Sequence, residues 1–181
     1  MLNKTDEQKA KHDMELMWWA LKGDAEAYRF CCDVCFVAHL WDDLIDKDKV
    51  RSDEEINAAF AKLFIDIPEN EFYQRNFLHL QPIIRQSIFD WLISVKLEEV
   101  SGVKGDINLL AQSYTLRIQY NTIITTCAYL IGGYGWQEEV ALKLRQDMTF
   151  QGGGYDEYFE EIHSLAVKRQ NALCGREDGK L

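Results

Sequence analysis

The stretch YRFCCDVCFVAHLWDDLID, from Tyr28 to Asp46, predicts a helix that is apolar along most of its length and acidic at its end. Residues four positions apart share a face of a helix, so Asp42 and Asp46 should point the same way, with Asp43 beside them. Carboxylates this close repel one another unless water, a cation or a basic group compensates them. The stretch therefore predicts a buried helix whose last turn concentrates negative charge.

The acidic cluster of Asp42, Asp43 and Asp46 has two interpretations. Hard cations such as Mg²⁺ take oxygen ligands and usually keep a phosphate as a further partner, so the three aspartates are candidate metal ligands and catalytic residues. Alternatively, the cluster lies on a solvated turn and is neutralised by the basic residues that follow it, Lys47, Lys49 and Arg51. His39 precedes Asp43 by one helical turn and is expected to be a core histidine paired with it.

Composition and charge restrict the class of protein. The chain has 181 residues, of which 47% are hydrophobic and only two are proline, and this favours one helical domain with a substantial core. The net charge of −10 repels phosphate backbones and anionic membrane surfaces, so neither nucleic acid nor membrane is an expected partner. A small phosphorylated ligand remains an expected partner, because a bound cation reverses the local charge.

The cysteines and the first residues of the chain bear on its compartment. Residues 1–13 are polar and predict no signal peptide. Three of the five cysteines, Cys31, Cys32 and Cys35, fall in one helix, where they cannot pair with good disulfide geometry. We therefore expect a cytoplasmic protein with free thiols. Zinc bound by two of Cys31, Cys35 and His39 is an alternative, although the short-spaced ligand pairs of zinc sites are absent.

Helix start and stop signals recur along the chain, and no useful length alternates apolar and polar residues as a strand would. We expect an all-α fold, a single compact bundle of seven or eight helices over residues 1–174, with a disordered tail at 175–181. The principal signals are N-caps at Asp24 and Asp106, a capping box at Ser52–Glu55, a first-turn proline at Pro82, and stops at Gly23, Gly102 and Gly132–Gly133. The helix that follows the capping box carries the apolar residues Ile56, Phe60, Leu63 and Phe64.

One predicted helix, from Ile107 to Ile131, carries a polar stripe. Its polar residues repeat every four positions: Ser113, Arg117, Asn121, Thr125 and Tyr129. Buried polar groups need partners, so the stripe either lines a polar cavity or is satisfied within the helix, with Arg117 paired to an aspartate. If it lines a cavity, Asn121, Thr125 and Tyr129 are candidate substrate-binding residues. Arg85 and Arg117 are candidate phosphate contacts, because a guanidinium matches two phosphate oxygens at once.

The run Asp42-Asp43-Leu44-Ile45-Asp46 resembles the aspartate-rich motif of class I isoprenoid synthases. The resemblance implies an all-helical enzyme that binds Mg²⁺ and a prenyl diphosphate, with Asp42 and Asp46 as metal ligands. The second metal motif of that family begins with Asn and then Ser or Thr, which Asn121 and Thr125 match. Tyr129 stands where the family has Glu, so this half of the metal site is incomplete.

A second resemblance is to all-α nucleoside triphosphate pyrophosphatases, which are similar in size and hold Mg²⁺ with acidic pairs on two helices. Glu98 and Glu99 would supply the second pair. Both resemblances imply Mg²⁺ holding a diphosphate on a small-molecule substrate.

The third interpretation is a non-catalytic helical protein that works through a partner or as a homo-oligomer. Its support is the paired Trp18-Trp19 with Met14 and Met17 nearby, which would form an apolar patch if they were exposed. Core packing explains the same residues.

Overall fold

The computed structural model describes residues 6–47, 49–104, 106–118, 120–147, 158–160 and 162–164. Within these ranges every regular element is helical and no strand is present, which confirms the all-α class. The helices are α1 (Asp6–Ala20), α2 (Ala25–Asp46), α3 (Asp53–Ala61), α4 (Ile67–Glu69), α5 (Glu71–Arg75), α6 (Phe77–Lys104), α7 (Ile107–Arg117) and α8 (Tyr120–Asp147). One π-helical turn, Lys62–Asp66, joins α3 to α4 and is called the π-turn below.

The chain divides into two compact units. The α2 unit comprises Met14–Ile84 and Tyr120–Gln146, and the α7 unit comprises Met1–Asp13, Arg85–Gln119 and Asp147–Leu181. The single domain over residues 1–174 stays a prediction, and the tail at 175–181 lies outside the described residues. None of the described helices is both long and apolar enough to cross a membrane.

The α2 unit has a core built from one face of α2 and one face of α8. The Asp24 side chain caps α2 by accepting a hydrogen bond from the Ala27 amide at 3.0 Å, as its position predicts. Fully buried side chains fill the space between the elements: Met17, Leu21, Phe30, Cys31, Ile124, Cys127 and Val140. The Tyr120 hydroxyl donates to the Cys31 carbonyl at 2.6 Å and anchors the start of α8 against α2.

The segment after α2 returns along it through α3 and the π-turn. The predicted capping box is confirmed, because Ser52 accepts from the Glu55 amide and Glu55 accepts from the Ser52 amide. Further along, the buried Asn70 donates to the Glu26 carbonyl at 3.0 Å and also caps α5 through the Tyr73 amide. The bond from Asn70 to Glu26 ties the start of α5 to α2.

Two helix boundaries differ from their predictions. Pro82 lies inside α6, which begins at Phe77, instead of opening a helix. A proline cannot bond the carbonyl four residues before it, and here that residue, Leu78, is exposed and open to water. The predicted helix from Ile107 to Ile131 is two helices that separate after Arg117, at a point with no Gly or Pro to signal an end.

The predicted stop at Gly132–Gly133 is a break within α8. Gly133 has φ 77° and ψ −175°, a backbone conformation that only glycine adopts readily. A Cβ atom at Gly132 would lie 2.6 Å from Cδ1 of Trp136, so the neighbouring glycine is required for space. The two helical segments of α8 therefore meet at a fixed kink.

We expect Gly133→Ala to lower the free energy of unfolding by about 1–3 kcal/mol, because alanine is strained at this φ. Gly135→Ala is the matched control: a Cβ atom there meets nothing within 4 Å, and the exchange should stabilise the helix by about 0.5–1 kcal/mol. Urea denaturation of both variants checks the difference. Equal stability of the two variants would show that the kink is not enforced by the backbone.

Candidate functional site

The acidic end of α2 is held by basic residues from the loop that follows it. Asp43 is only 6% exposed. Arg51 donates to one of its oxygens, Oδ2, through Nε at 2.7 Å and also through a terminal guanidinium nitrogen. Lys49 Nζ lies 3.7 Å from the other oxygen, Oδ1. Both oxygens of Asp43 therefore face cations that belong to the chain itself.

Arg51 also connects this carboxylate to α3. Its remaining terminal nitrogen donates to Glu55 at 2.7 Å, and Glu55 in turn accepts from the Ser52 amide at 2.9 Å. The bond to Asp43 raises the pKa of the Arg51 guanidinium, and the Ser52 amide, followed by Arg51, lowers the pKa of the Glu55 carboxyl. The three charged side chains form one network that closes the turn between α2 and α3.

The other two aspartates of the cluster also lie at the C-terminal end of α2. Asp42 is half-buried on α2, and Asp46 is the last residue of α2, with its side chain outside the described residues. Among the side chains that the structure describes, no three His, Cys, Asp or Glu groups lie close enough to hold a metal ion. Arg51 and Lys49 already neutralise the Asp43 carboxylate, and the metal-ligand role of Asp43 stays a prediction.

His39 is not the predicted core histidine, because its side chain is exposed. Its Nδ1 atom lies 3.3 Å from the Cys35 sulfur, one turn back along α2. The carboxylate that it was expected to pair with, Asp43, turns instead towards Arg51.

A second polar cluster lies in the α7 unit around Glu98. Arg117 donates to its Oε1 at 3.0 Å, and the Tyr158 hydroxyl donates to the same oxygen at 2.6 Å. The buried Ser113 hydroxyl lies 2.7 Å from the Tyr158 hydroxyl and 2.9 Å from the Ser94 carbonyl. Burial, and then the bond to Glu98, raise the pKa of Tyr158 well above its ordinary value, so the phenol stays protonated.

This cluster gives Arg117 and Glu98 structural roles, which the sequence predicts only in part. Arg117 was expected to pair with an aspartate or a phosphate and pairs with a glutamate nineteen positions before it. With Glu99, Glu98 was predicted to supply the second acidic pair of a pyrophosphatase-like site. Its carboxylate accepts hydrogen bonds from the side chains of Ser113, Arg117 and Tyr158. Nothing in the sequence marks Tyr158 as their partner.

The remaining members of the predicted polar stripe lie on α8 and not on the helix of Ser113 and Arg117. Thr125 donates to the Thr122 carbonyl at 3.1 Å, which satisfies it within its own helix. Asn121 is half-buried and Tyr129 is exposed. Arg85 is an exposed residue of α6. The five candidate substrate-binding residues lie on three helices, α6, α7 and α8, and their predicted role in binding a substrate stays a prediction.

An apolar surface lies on the segment that the sequence predicts as the helix after the capping box. Four residues of α3 and the π-turn are largely exposed: Phe60 (54%), Leu63 (43%), Phe64 (69%) and Ile65 (52%). We call these four residues the Phe60 face. The rings of Phe60 and Phe64 lie nearly parallel, with centroids 6.0 Å apart.

The predicted patch around Trp18-Trp19 is divided. Met17 is buried, and the Trp19 ring packs against Trp136 with centroids 4.9 Å apart. Met14 and Trp18 remain exposed, and Trp18 makes an edge contact with Tyr28. Core packing therefore explains Met17 and Trp19, whereas Met14 and Trp18 stay exposed.

No protein-family model, no curated protein and no solved structure matches the chain. The resemblances to isoprenoid synthases and to all-α pyrophosphatases thus rest on the short motifs alone, and the shared property that is shown is an all-helical fold.

We expect Arg51→Gln to lower the free energy of unfolding by about 2 kcal/mol, because it leaves the buried Asp43 carboxylate without its principal cation. Lys49→Gln is the matched control; its side chain is 66% exposed and 3.7 Å away, and its loss should change stability by under about 0.5 kcal/mol. Chemical denaturation at neutral pH measures both. If Arg51→Gln is as mild as Lys49→Gln, Asp43 does not depend on this pair.

Proposed function

We propose that this protein acts by binding another protein chain through the Phe60 face, as a non-catalytic helical interaction protein. The observation that carries the proposal is the exposure of four large apolar side chains within six consecutive positions. Soluble proteins rarely leave large contiguous apolar patches in water, and protein–protein interaction sites are among the features that such patches mark.

The π-turn carries three of the four residues of the Phe60 face. Lys62 points inward and forms an ion pair with the buried Asp33 of α2. The next three residues, Leu63, Phe64 and Ile65, then all remain outside. π-Helical turns are uncommon and often occur at functional sites.

The surface is also pre-formed. Arg51 holds the N-terminal end of α3 to Asp43, and Lys62 holds the π-turn to Asp33. The stacked Phe60 and Phe64 rings support each other. A partner would therefore bind side chains that are already ordered, which reduces the entropy lost on association.

The charges around the Phe60 face select the chemistry of the partner. Three acidic residues are exposed on α3, the π-turn and α4, namely Glu54, Asp66 and Glu69. Asp66 Oδ2 lies 4.0 Å from Lys62 Nζ, and the whole chain carries a net charge of −10. A second copy of the chain would bring the same negative charge. An amphipathic helix with apolar residues on one face and Lys or Arg beside them is complementary in both respects.

We expect a synthetic amphipathic helix of about 18 residues, with Leu on one face and Lys on the other, to bind the protein in fluorescence anisotropy. Phe64→Ser should weaken binding by roughly tenfold or more, because aromatic anchors dominate such contacts. Leu78→Ser, at an exposed position outside the Phe60 face, is the control and should leave affinity unchanged.

A peptide with Glu in place of Lys should bind more weakly, since it meets the acidic surroundings of the face. Equal binding by wild type and Phe64→Ser, or no preference for the Lys peptide, contradicts the proposal. Light scattering of the free protein tests whether a second copy of the chain covers the Phe60 face instead. A dimer that Phe64→Ser dissociates would assign the face to that second copy.

We propose a Mg²⁺-dependent enzyme acting on a diphosphate-bearing small molecule as the second candidate function. Its support is the spacing of Asp42 and Asp46, one helical turn apart at the end of α2. These two residues would hold the ion, which would supply positive charge for departing phosphate oxygens. Asp43 is left out of this proposed pair of ligands, because Arg51 and Lys49 already neutralise its charge.

For this candidate, calorimetric titration with Mg²⁺ and pyrophosphate should release heat with the wild type and lose it with Asp42→Ala. Asp53→Ala, an exposed acidic residue in the first turn of α3, is the control and should bind as the wild type does. Absence of heat with the wild type, or equal heat with Asp42→Ala, rejects the Mg²⁺ site.

A further inference from the structure

Two buried cysteines face each other across the core of the α2 unit. The sulfur of Cys31, on α2, lies 3.8 Å from the sulfur of Cys127, on α8, and both side chains are fully buried. The two residues are 96 positions apart in sequence, so the contact is made by the packing of the helices and by nothing local. Both are free thiols in this structure.

The surrounding packing holds the two sulfurs in place. Tyr120, two turns before Cys127 on α8, donates its hydroxyl to the Cys31 carbonyl at 2.6 Å. Ile124 and Ala128, on either side of Cys127 along the same helix, are fully buried. A disulfide needs the sulfurs to approach to about 2 Å, so the two side chains or their helices must move closer together before the bond forms.

We propose that Cys31 and Cys127 are a redox pair that closes into a disulfide between α2 and α8 by exchange with a small-molecule disulfide such as oxidised glutathione. One cysteine, as its thiolate, attacks a sulfur of oxidised glutathione and releases one reduced glutathione, which takes up the proton. The second cysteine then attacks the mixed disulfide and releases the second glutathione. Two protein thiols are oxidised, and one glutathione disulfide is reduced to two thiols.

Burial sets the rate of this reaction and protects the reduced form. The hydrogen bond with Cys127, and then burial, raise the pKa of the Cys31 thiol well above its ordinary value. The pair therefore reacts only when α2 and α8 part locally, since an oxidant cannot reach it otherwise. Cys35, half-buried and beside the imidazole of His39, is more accessible and serves as an internal reference for the strength of the oxidant.

The cross-link would close a loop of 96 positions, and loops of this length restrict the unfolded chain strongly. We expect oxidation to raise the melting temperature by roughly 5–15 °C, reversibly on addition of dithiothreitol. Cys127→Ala should form no such link and show no rise. Cys32→Ala, a change at a half-buried neighbour of Cys31, should behave as the wild type does.

The test is incubation of the folded wild-type protein with oxidised glutathione, then denaturation, alkylation of the remaining thiols and peptide mapping by mass spectrometry. The expected result is a linked pair of peptides containing Cys31 and Cys127, with both residues protected from alkylation. If both remain alkylated, or if either is found only as a glutathione adduct or linked to another cysteine, the proposal is wrong. This result does not depend on whether the Cys127→Ala variant folds.

Discussion

A carboxylate that folding removes from water must be given a positive partner, and this constraint organises the part of the molecule that the structure describes. Asp43 forms an ion pair with Arg51, Asp33 with Lys62, and Glu98 with Arg117. Removing one member of such a pair leaves a desolvated charge, which is far more costly than the pair itself is stabilising. Each pair therefore fixes the relative position of the two segments that supply it.

The first two pairs together explain the Phe60 face. They bind α3 and the π-turn to α2 at two levels, through Asp43 near its end and Asp33 near its middle. With Arg51 and Lys62 turned inward, the Phe60 face stays in solvent together with exposed acidic residues such as Glu54 and Asp66. An arrangement that uses ion pairs on the inner side and leaves phenylalanines outside is unusual for a helix whose sole role is to cover a core.

The same constraint changes how the aspartate-rich run is interpreted. In sequence, Asp42, Asp43 and Asp46 form a set that suits a divalent cation. In the fold, the middle residue belongs to a structural network with Arg51 and Glu55, and the remaining pair carries the Mg²⁺ proposal alone. The cysteines show the reverse case. In sequence, Cys31 is one of three cysteines in an apolar helix; in the fold, its contact with Cys127 on α8 makes it a member of the proposed redox pair.

The amino-acid sequence by itself determined the helical class and several helix ends, because their causes are local. The cap at Asp24, the Ser52–Glu55 box and the break at the glycine pair each depend on atoms within a few residues. Only the tertiary structure decided which cation Asp43 takes, that the 107–131 segment divides after Arg117, and that Phe60 and Phe64 face water. Such outcomes depend on residues distant in sequence: Arg51 comes 8 positions after Asp43, and Lys62, which holds the π-turn, comes 29 positions after Asp33. The spacing of apolar residues along one helix does not show which helix lies opposite it.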